Sequence, residues 1–178
     1  MKEHKSMLTK FRGCSYTFGA NIDTDQIYPG RFVELSEPSD IAPHAMEGAD
    51  PAFAKDFKAG GIIIGGRNFG CGSSREHAAI ALKTIGVSAV VAESFGRIFY
   101  RNAINLGLLL LVCPGITGLV AQGDELEVDL ADSRIVNLET LKKAALEPLS
   151  AYVLEILSHG GIKPLLRQRI VSTGQSTH

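Results

Sequence analysis

The chain has 178 residues, 45% hydrophobic and 21% charged, enough to bury one sizeable core and unlike a disordered or low-complexity segment. Eighteen basic residues against nineteen acidic ones leave a formal net charge of -1, which excludes the broad positive surface that nucleic acid or an anionic membrane requires. The longest strongly apolar stretch, Leu108 to Cys113, is far short of the roughly 20 residues of a spanning helix.

The start, Met1-Lys2-Glu3-His4-Lys5-Ser6-Met7, carries no apolar segment of a secretory signal, so the expected location is the cytoplasm. One domain over 1–178 is expected, with 1–10 and 167–178 as flexible tails. Cys14 to Phe18 reads as a short strand, and Gly19 to Asp25 is turn chemistry. Pro29, Pro38, Pro43 and Pro51 break the segment up to Phe57 into loops and short helical turns.

From Gly60 the pattern is regular. Ile62 to Ile64 is an apolar β-branched run between glycines, as in a strand covered on both faces. Ser74 to Ile85 carries Ala78, Ala81, Leu82 and Ile85 at helical spacing, with Gly86 as its stop. Val87 to Ala92 is a second buried strand, Arg97 to Leu106 a second helix ended by Gly107, and Leu108 to Val112 a third strand. The succession β-α-β-α-β predicts a parallel core. Leu126, Val128 and Leu130 then alternate with Glu125, Glu127 and Asp129, and a turn at Asp132-Ser133 before Ile135 to Leu138 predicts an antiparallel hairpin. A final helix turns Val153, Ile156 and Leu157 inward and stops at Gly160-Gly161. The fold class is α/β.

The three cysteines, Cys14, Cys71 and Cys113, are scattered and odd in number, which fits a reducing compartment and gives neither a disulfide framework nor an iron-sulfur motif. The five histidines show no zinc-ligand spacing. No cofactor or metal bound by this chain alone is expected.

The chemistry gathers at Gly65-Gly66-Arg67-Asn68-Phe69-Gly70-Cys71-Gly72-Ser73-Ser74-Arg75-Glu76-His77, between a strand and a helix. Unpaired N-H groups at such a helix start favour anions, and Arg75 can add a planar fork for a carboxylate. A plainer role is a capping box, Ser73 with Glu76. Gly70-x-Gly72 with Glu93 about 20 residues on also echoes a dinucleotide fingerprint, but Arg75 stands where its third glycine belongs. Asp23, Asp25 and Glu34 echo a calcium loop, with Ile27 and Tyr28 where a ligand and a glycine should be. Cys71 and His77 read as structural, and Arg97 with Arg101 as a solvated face or an interface contact. A non-catalytic module holding a carboxylate metabolite or nucleotide stays open on these residues alone.

Three stretches together resemble a known family. They are Asn21-Ile22-Asp23-Thr24-Asp25-Gln26-Ile27-Tyr28-Pro29, Asn68 to Ala78, and Glu93-Ser94-Phe95-Gly96-Arg97-Ile98-Phe99-Tyr100-Arg101-Asn102-Ala103. The resemblance, from about Gly13 to Gly161, is to the small subunits of 3-isopropylmalate dehydratase and homoaconitase, which are similar to the swivelling domain of aconitase. It implies a swivelling β/β/α domain and a large partner subunit carrying a [4Fe-4S] cluster. The implied substrate is a small hydroxy-dicarboxylic acid, and the implied activity a hydro-lyase active only with the large subunit. It also implies Ser73 as the catalytic base and Asp25, Ser74 and Arg75 as substrate contacts; on spacing alone Asp25 equally suits an Asx turn. A homo-oligomer in isolation stays open.

In that family the loop after the Asp-Thr-Asp motif touches the distinguishing substituent; here it includes Arg31, Phe32, Val33, Glu34 and Leu35. Glu34 would repel a third carboxylate, while Phe32, Val33 and Leu35 can surround an alkyl group, so isopropylmalate is the expected substrate. Arg31, able to receive an anion, leaves homocitrate, citramalate and dimethylmalate open.

Overall fold

In the computed structural model, which describes residues 9–174, the first strand β1 (Lys10–Thr17) begins at Lys10 rather than Cys14. Its first half escaped the apolar pattern because Lys10 and Arg12 point outward to Glu127, at 2.9 and 2.7 Å. Lys10 is therefore strand rather than tail; residues 1–8 and 175–178 lie outside the described residues. The proline-broken segment holds three single-turn helices, α1 (Thr24–Ile27), α2 (Pro38–Ile41) and α3 (Phe53–Asp56).

The expected core follows: β2 (Ile62–Gly65), α4 (His77–Ile85), β3 (Ala89–Ala92), α5 (Arg97–Leu106) and β4 (Leu110–Val112). Ile62, Ile63, Ile64, Ala89, Val90, Val91 and Leu110 are fully buried, as parallel strands covered on both faces must be. β1 extends this parallel set, with Ser15 opposite Ile62.

Then β5 (Glu125–Asp129), β6 (Arg134–Asn137) and β7 (Lys143–Ala145) form an antiparallel meander, one strand more than the expected hairpin. Asp129 closes the β5-β6 turn by accepting the N-H groups of Ala131 and Asp132, both at 3.1 Å. β5 pairs antiparallel with β1, so the two halves join in one seven-stranded sheet, β4-β3-β2-β1-β5-β6-β7.

The chain ends in two helices, α6 (Ala151–Ser158), capped by Ser150, and α7 (Ile162–Gly174). α7 corrects the expectation of a polar tail from Arg167: the helix carries through to Gly174. Its polar sequence hid two anchors, the buried Leu165 and the Arg169 guanidinium, which grips both Glu155 oxygens at 2.8 Å. No helix among the described residues is long and apolar enough to cross a membrane.

Leu165→Ala should lower stability by about 2–5 kcal/mol, the usual effect of truncating a buried leucine. Urea unfolding measures it; an unchanged midpoint would mean that α7 does not pack as described.

Candidate active site

The site is built by the loops that leave the carboxyl ends of β1, β2 and β3. The first two continue to pair backbone to backbone after their strands end. Gly66 N-H donates to Gly19 O at 3.1 Å, Asn21 N-H to Arg67 O at 2.8 Å, Gly70 N-H to Ile22 O at 2.7 Å and Thr24 N-H to Cys71 O at 2.8 Å. The third loop is tied in through Phe69 N-H to Ser94 O (3.0 Å) and Gly96 N-H to Phe69 O (2.8 Å).

Side chains packed against the loops account for two of the glycines. Gly70 has φ 77°, and a Cβ there would lie 2.2 Å from the Phe99 ring. At Gly30, a Cβ would lie 2.5 Å from Arg75 Nη1.

α1 is started by Asp23, whose carboxylate accepts Gln26 N-H at 2.8 Å while the Gln26 side chain accepts Asp23 N-H at 3.0 Å. A reciprocal capping box is thus present in this loop. The one expected at Ser73 and Glu76 does not form: α4 begins at His77, and Glu76, its N-cap, makes no side-chain cap bond. Ser73 is committed elsewhere. Its Oγ lies 3.1 Å from Thr24 Oγ1 and accepts Arg75 Nε-H at 3.0 Å.

Thr24 is buried and was not among the expected site residues. Its oxygen accepts Ser73 N-H at 3.1 Å, and either hydroxyl can be the donor in the contact between Thr24 Oγ1 and Ser73 Oγ. Arg75 spans the site, donating from Nη2 to Asp25 Oδ1 at 2.8 Å. Asp25 Oδ1 also accepts Gly30 N-H at 3.1 Å, so one carboxylate oxygen both closes the turn and holds Arg75. The Arg75 fork is therefore turned onto Asp25 and Ser73. Ser74 is exposed beside them, and its carbonyl accepts Asn102 Nδ2-H at 3.2 Å.

An open cleft of 330 Å³ is lined by Asp23, Asp25, Gln26, Pro29, Gly30, Arg31 and Gly48. Of the four expected specificity residues only Arg31 reaches it; Phe32, Val33 and Glu34 do not line it. Phe32 is stacked on His44, centroids 3.6 Å apart, with the Arg31 guanidinium carbon 4.5 Å from its ring centre. Glu47 takes both neighbours, Arg31 on Oε1 and His44 Nδ1 on Oε2 at 2.5 Å. Those bonds, the His44 one foremost, hold the Glu47 carboxyl below the usual carboxylate range. Arg31 is thus paired with a carboxylate that it shares with His44. Glu34 is exposed, and Val33 and Leu35 are half-buried.

Cys71 is half-buried in the loop pairing, and burial pushes the Cys113 thiol up to about 11. Among the described residues no three of His, Cys, Asp and Glu gather into a metal-holding group. His77 stacks on Tyr28 with centroids 6.0 Å apart.

Comparison with known proteins places this architecture. Residues 52–115 match the aconitase C-terminal domain family, and with the conjoined parallel and antiparallel sheet this defines an aconitase-type α/β domain. A 3-isopropylmalate dehydratase small subunit of Methanopyrus kandleri is 49% identical over 88% of this chain and 92% of its own length. The isopropylmalate/citramalate isomerase small subunit of Methanocaldococcus jannaschii is 48% identical over 94% of this chain and 99% of its own. A crystal structure of 3-isopropylmalate dehydratase from the latter organism superposes with TM-score 0.90 at 41% identity, covering 94% of this chain and 99% of that one. The chain belongs to the family of 3-isopropylmalate dehydratase small subunits.

Gly70→Ala should destabilise the fold by at least about 1–3 kcal/mol, the penalty of a left-handed backbone alone, before the Phe99 overlap is added. Gly19→Ala, where a Cβ meets nothing within 4 Å, should be near neutral. Equal losses in urea unfolding would contradict the packing described.

Proposed function

We propose that this chain is the small subunit of a cytoplasmic, heteromeric hydro-lyase. It would interconvert 2-isopropylmalate and 3-isopropylmalate by dehydration and rehydration, a step of leucine biosynthesis, with a [4Fe-4S] cluster in the large subunit. The observation that carries the reading is the Ser73 hydroxyl, held by Arg75 Nε and Thr24 Oγ1 at 3.0 and 3.1 Å.

In this reading the partner's cluster supplies Lewis acidity toward the substrate's hydroxyl and carboxylate. Ser73, ionised, would take the proton from the carbon beside the hydroxyl-bearing carbon as the C–O bond breaks, the double bond forms and hydroxide leaves; on rehydration hydroxide would add and Ser73 Oγ would return its proton to carbon. A serine alkoxide is unfavourable in water, and two preset donors, one of them charged, stabilise negative charge as it develops on Oγ. Arg75 does this through Nε while its Nη groups receive a substrate carboxylate, which competes with Asp25 for the fork. Ser74, exposed beside it, adds a hydroxyl donor.

The alkyl preference rests on charge. Glu34 stands exposed on the loop outside the cleft and disfavours a third carboxylate that reaches the loop, while Arg31 at the cleft is paired to Glu47. Phe32, Val33 and Leu35 supply the loop's apolar surface.

Ser73→Ala should abolish turnover with the assembled large subunit while the thermal midpoint stays close to wild type. Wild-type turnover in that variant would remove Ser73 from the chemistry. Thr24→Val should lower kcat by about 100- to 1000-fold, as for loss of one preset donor, and Thr24→Ser should restore it; equal activity in both would make Thr24 a packing residue. In anaerobic reconstitution, isopropylmaleate should be consumed in preference to citraconate and homoaconitate, followed by ultraviolet absorbance. A preference for homoaconitate would overturn the reading of Glu34.

A further inference from the structure

Beside the Ser73 turn runs a groove of 1130 Å³ that the chemistry above does not use. One wall is the turn itself, Gly70 to Gly72; the other is the β3-α5 corner with Arg97, Ile98 and Arg101. Arg97 and Arg101 are exposed, lie four apart on α5, and form no ion pair among the described residues. Their placement is locally unfavourable: Arg97 is the first residue of a helix whose first turn contains no acid, where the helix dipole repels cations. Ile98, between them, is 40% exposed.

Two carboxylates share the groove. Glu93 is already taken up by Thr117 Oγ1 at 2.7 Å and faces Arg67 at 3.8 Å. Glu147 is exposed and raises the pKa of Tyr100, secondarily to burial. With Arg67 beside Glu93, three arginines stand against these two carboxylates, an excess of one positive charge around an apolar centre, as in an interface anchor. Because the groove shares a wall with the turn that carries Ser73, a subunit that seats its reaction centre over Ser73 lies beside the groove.

We infer that the β3-α5 corner docks an acidic segment of the large subunit, with Arg97 and Arg101 as its electrostatic anchors and Ile98 as its apolar contact. This rests on the heteromeric reading above.

The test is the affinity of the full chain for the cluster-loaded large subunit, measured anaerobically by biolayer interferometry at low and high salt. Wild-type binding should weaken as salt rises. Arg97→Glu with Arg101→Glu should lose about 100-fold in affinity at low salt, as for reversal of close interfacial charges. The thermal midpoint of the isolated variant should hold or rise, since an acid suits the helix start. Arg97→Gln with Arg101→Gln should lose roughly tenfold, and keeps the test intact if the reversal disturbs folding. Lys142→Glu with Lys143→Glu, at the far edge of the sheet, should bind as wild type.

Unchanged affinity in both arginine variants would overturn the inference, as would equal loss in the lysine control. So would a variant that breaks self-association of the isolated chain but not the complex. Failure of the wild type to bind any such subunit would instead overturn the heteromeric reading and this inference with it.

Discussion

The site depends on parallel strand pairing that does not stop where the strands stop. The loops that follow β1 and β2 go on exchanging backbone hydrogen bonds for several residues, and the loop after β3 joins them through Phe69. Ligand sites of open α/β sheets lie outside the carboxyl ends of their strands for this geometrical reason. Here it explains why three motifs far apart in sequence form one surface. It also explains Gly96, where the backbone of Gly70 and Cys71 leaves no room for a side chain.

On that platform one guanidinium links the functional groups. Arg75 reaches back to Ser73 with one nitrogen and across to Asp25 with another. The resulting chain, Thr24 to Ser73 to Arg75 to Asp25, gives every hydroxyl and carboxylate a defined partner. A hydroxyl that accepts from a guanidinium N-H is predisposed to carry negative charge, which an isolated surface serine is not. The neighbouring Arg31 is handled differently. Glu47 and the Phe32 ring hold it at the edge of the cleft, close to the loop that the substrate's third substituent would meet.

The parallel core was legible because its strands are short apolar runs punctuated by glycine, and Gly86 and Gly107 stop both helices in the left-handed conformation. The meander was legible from the alternation in β5, but β7, Lys-Ala-Ala, has too little apolar content to announce itself. The first half of β1 was hidden by charges that face outward to Glu127, and α7 by its polar sequence. At the site, Ser73, Arg75 and Asp25 are joined by hydrogen bonds. The apparent capping box at Ser73 was misleading because spacing cannot say which partner a serine oxygen will find. Thr24 was missed for the same reason: its role comes from a cross-loop approach, and only its place between two aspartates of a loop motif hinted at it.

The central claim is that Ser73 moves the substrate proton. With the large subunit assembled in deuterium oxide, the wild-type enzyme should place deuterium at the carbon from which the proton is taken as it equilibrates isopropylmalate, read by nuclear magnetic resonance. Ser73→Ala, bound equally well to the large subunit, should leave that carbon unlabelled. Labelling at the wild-type rate in the variant would contradict the account.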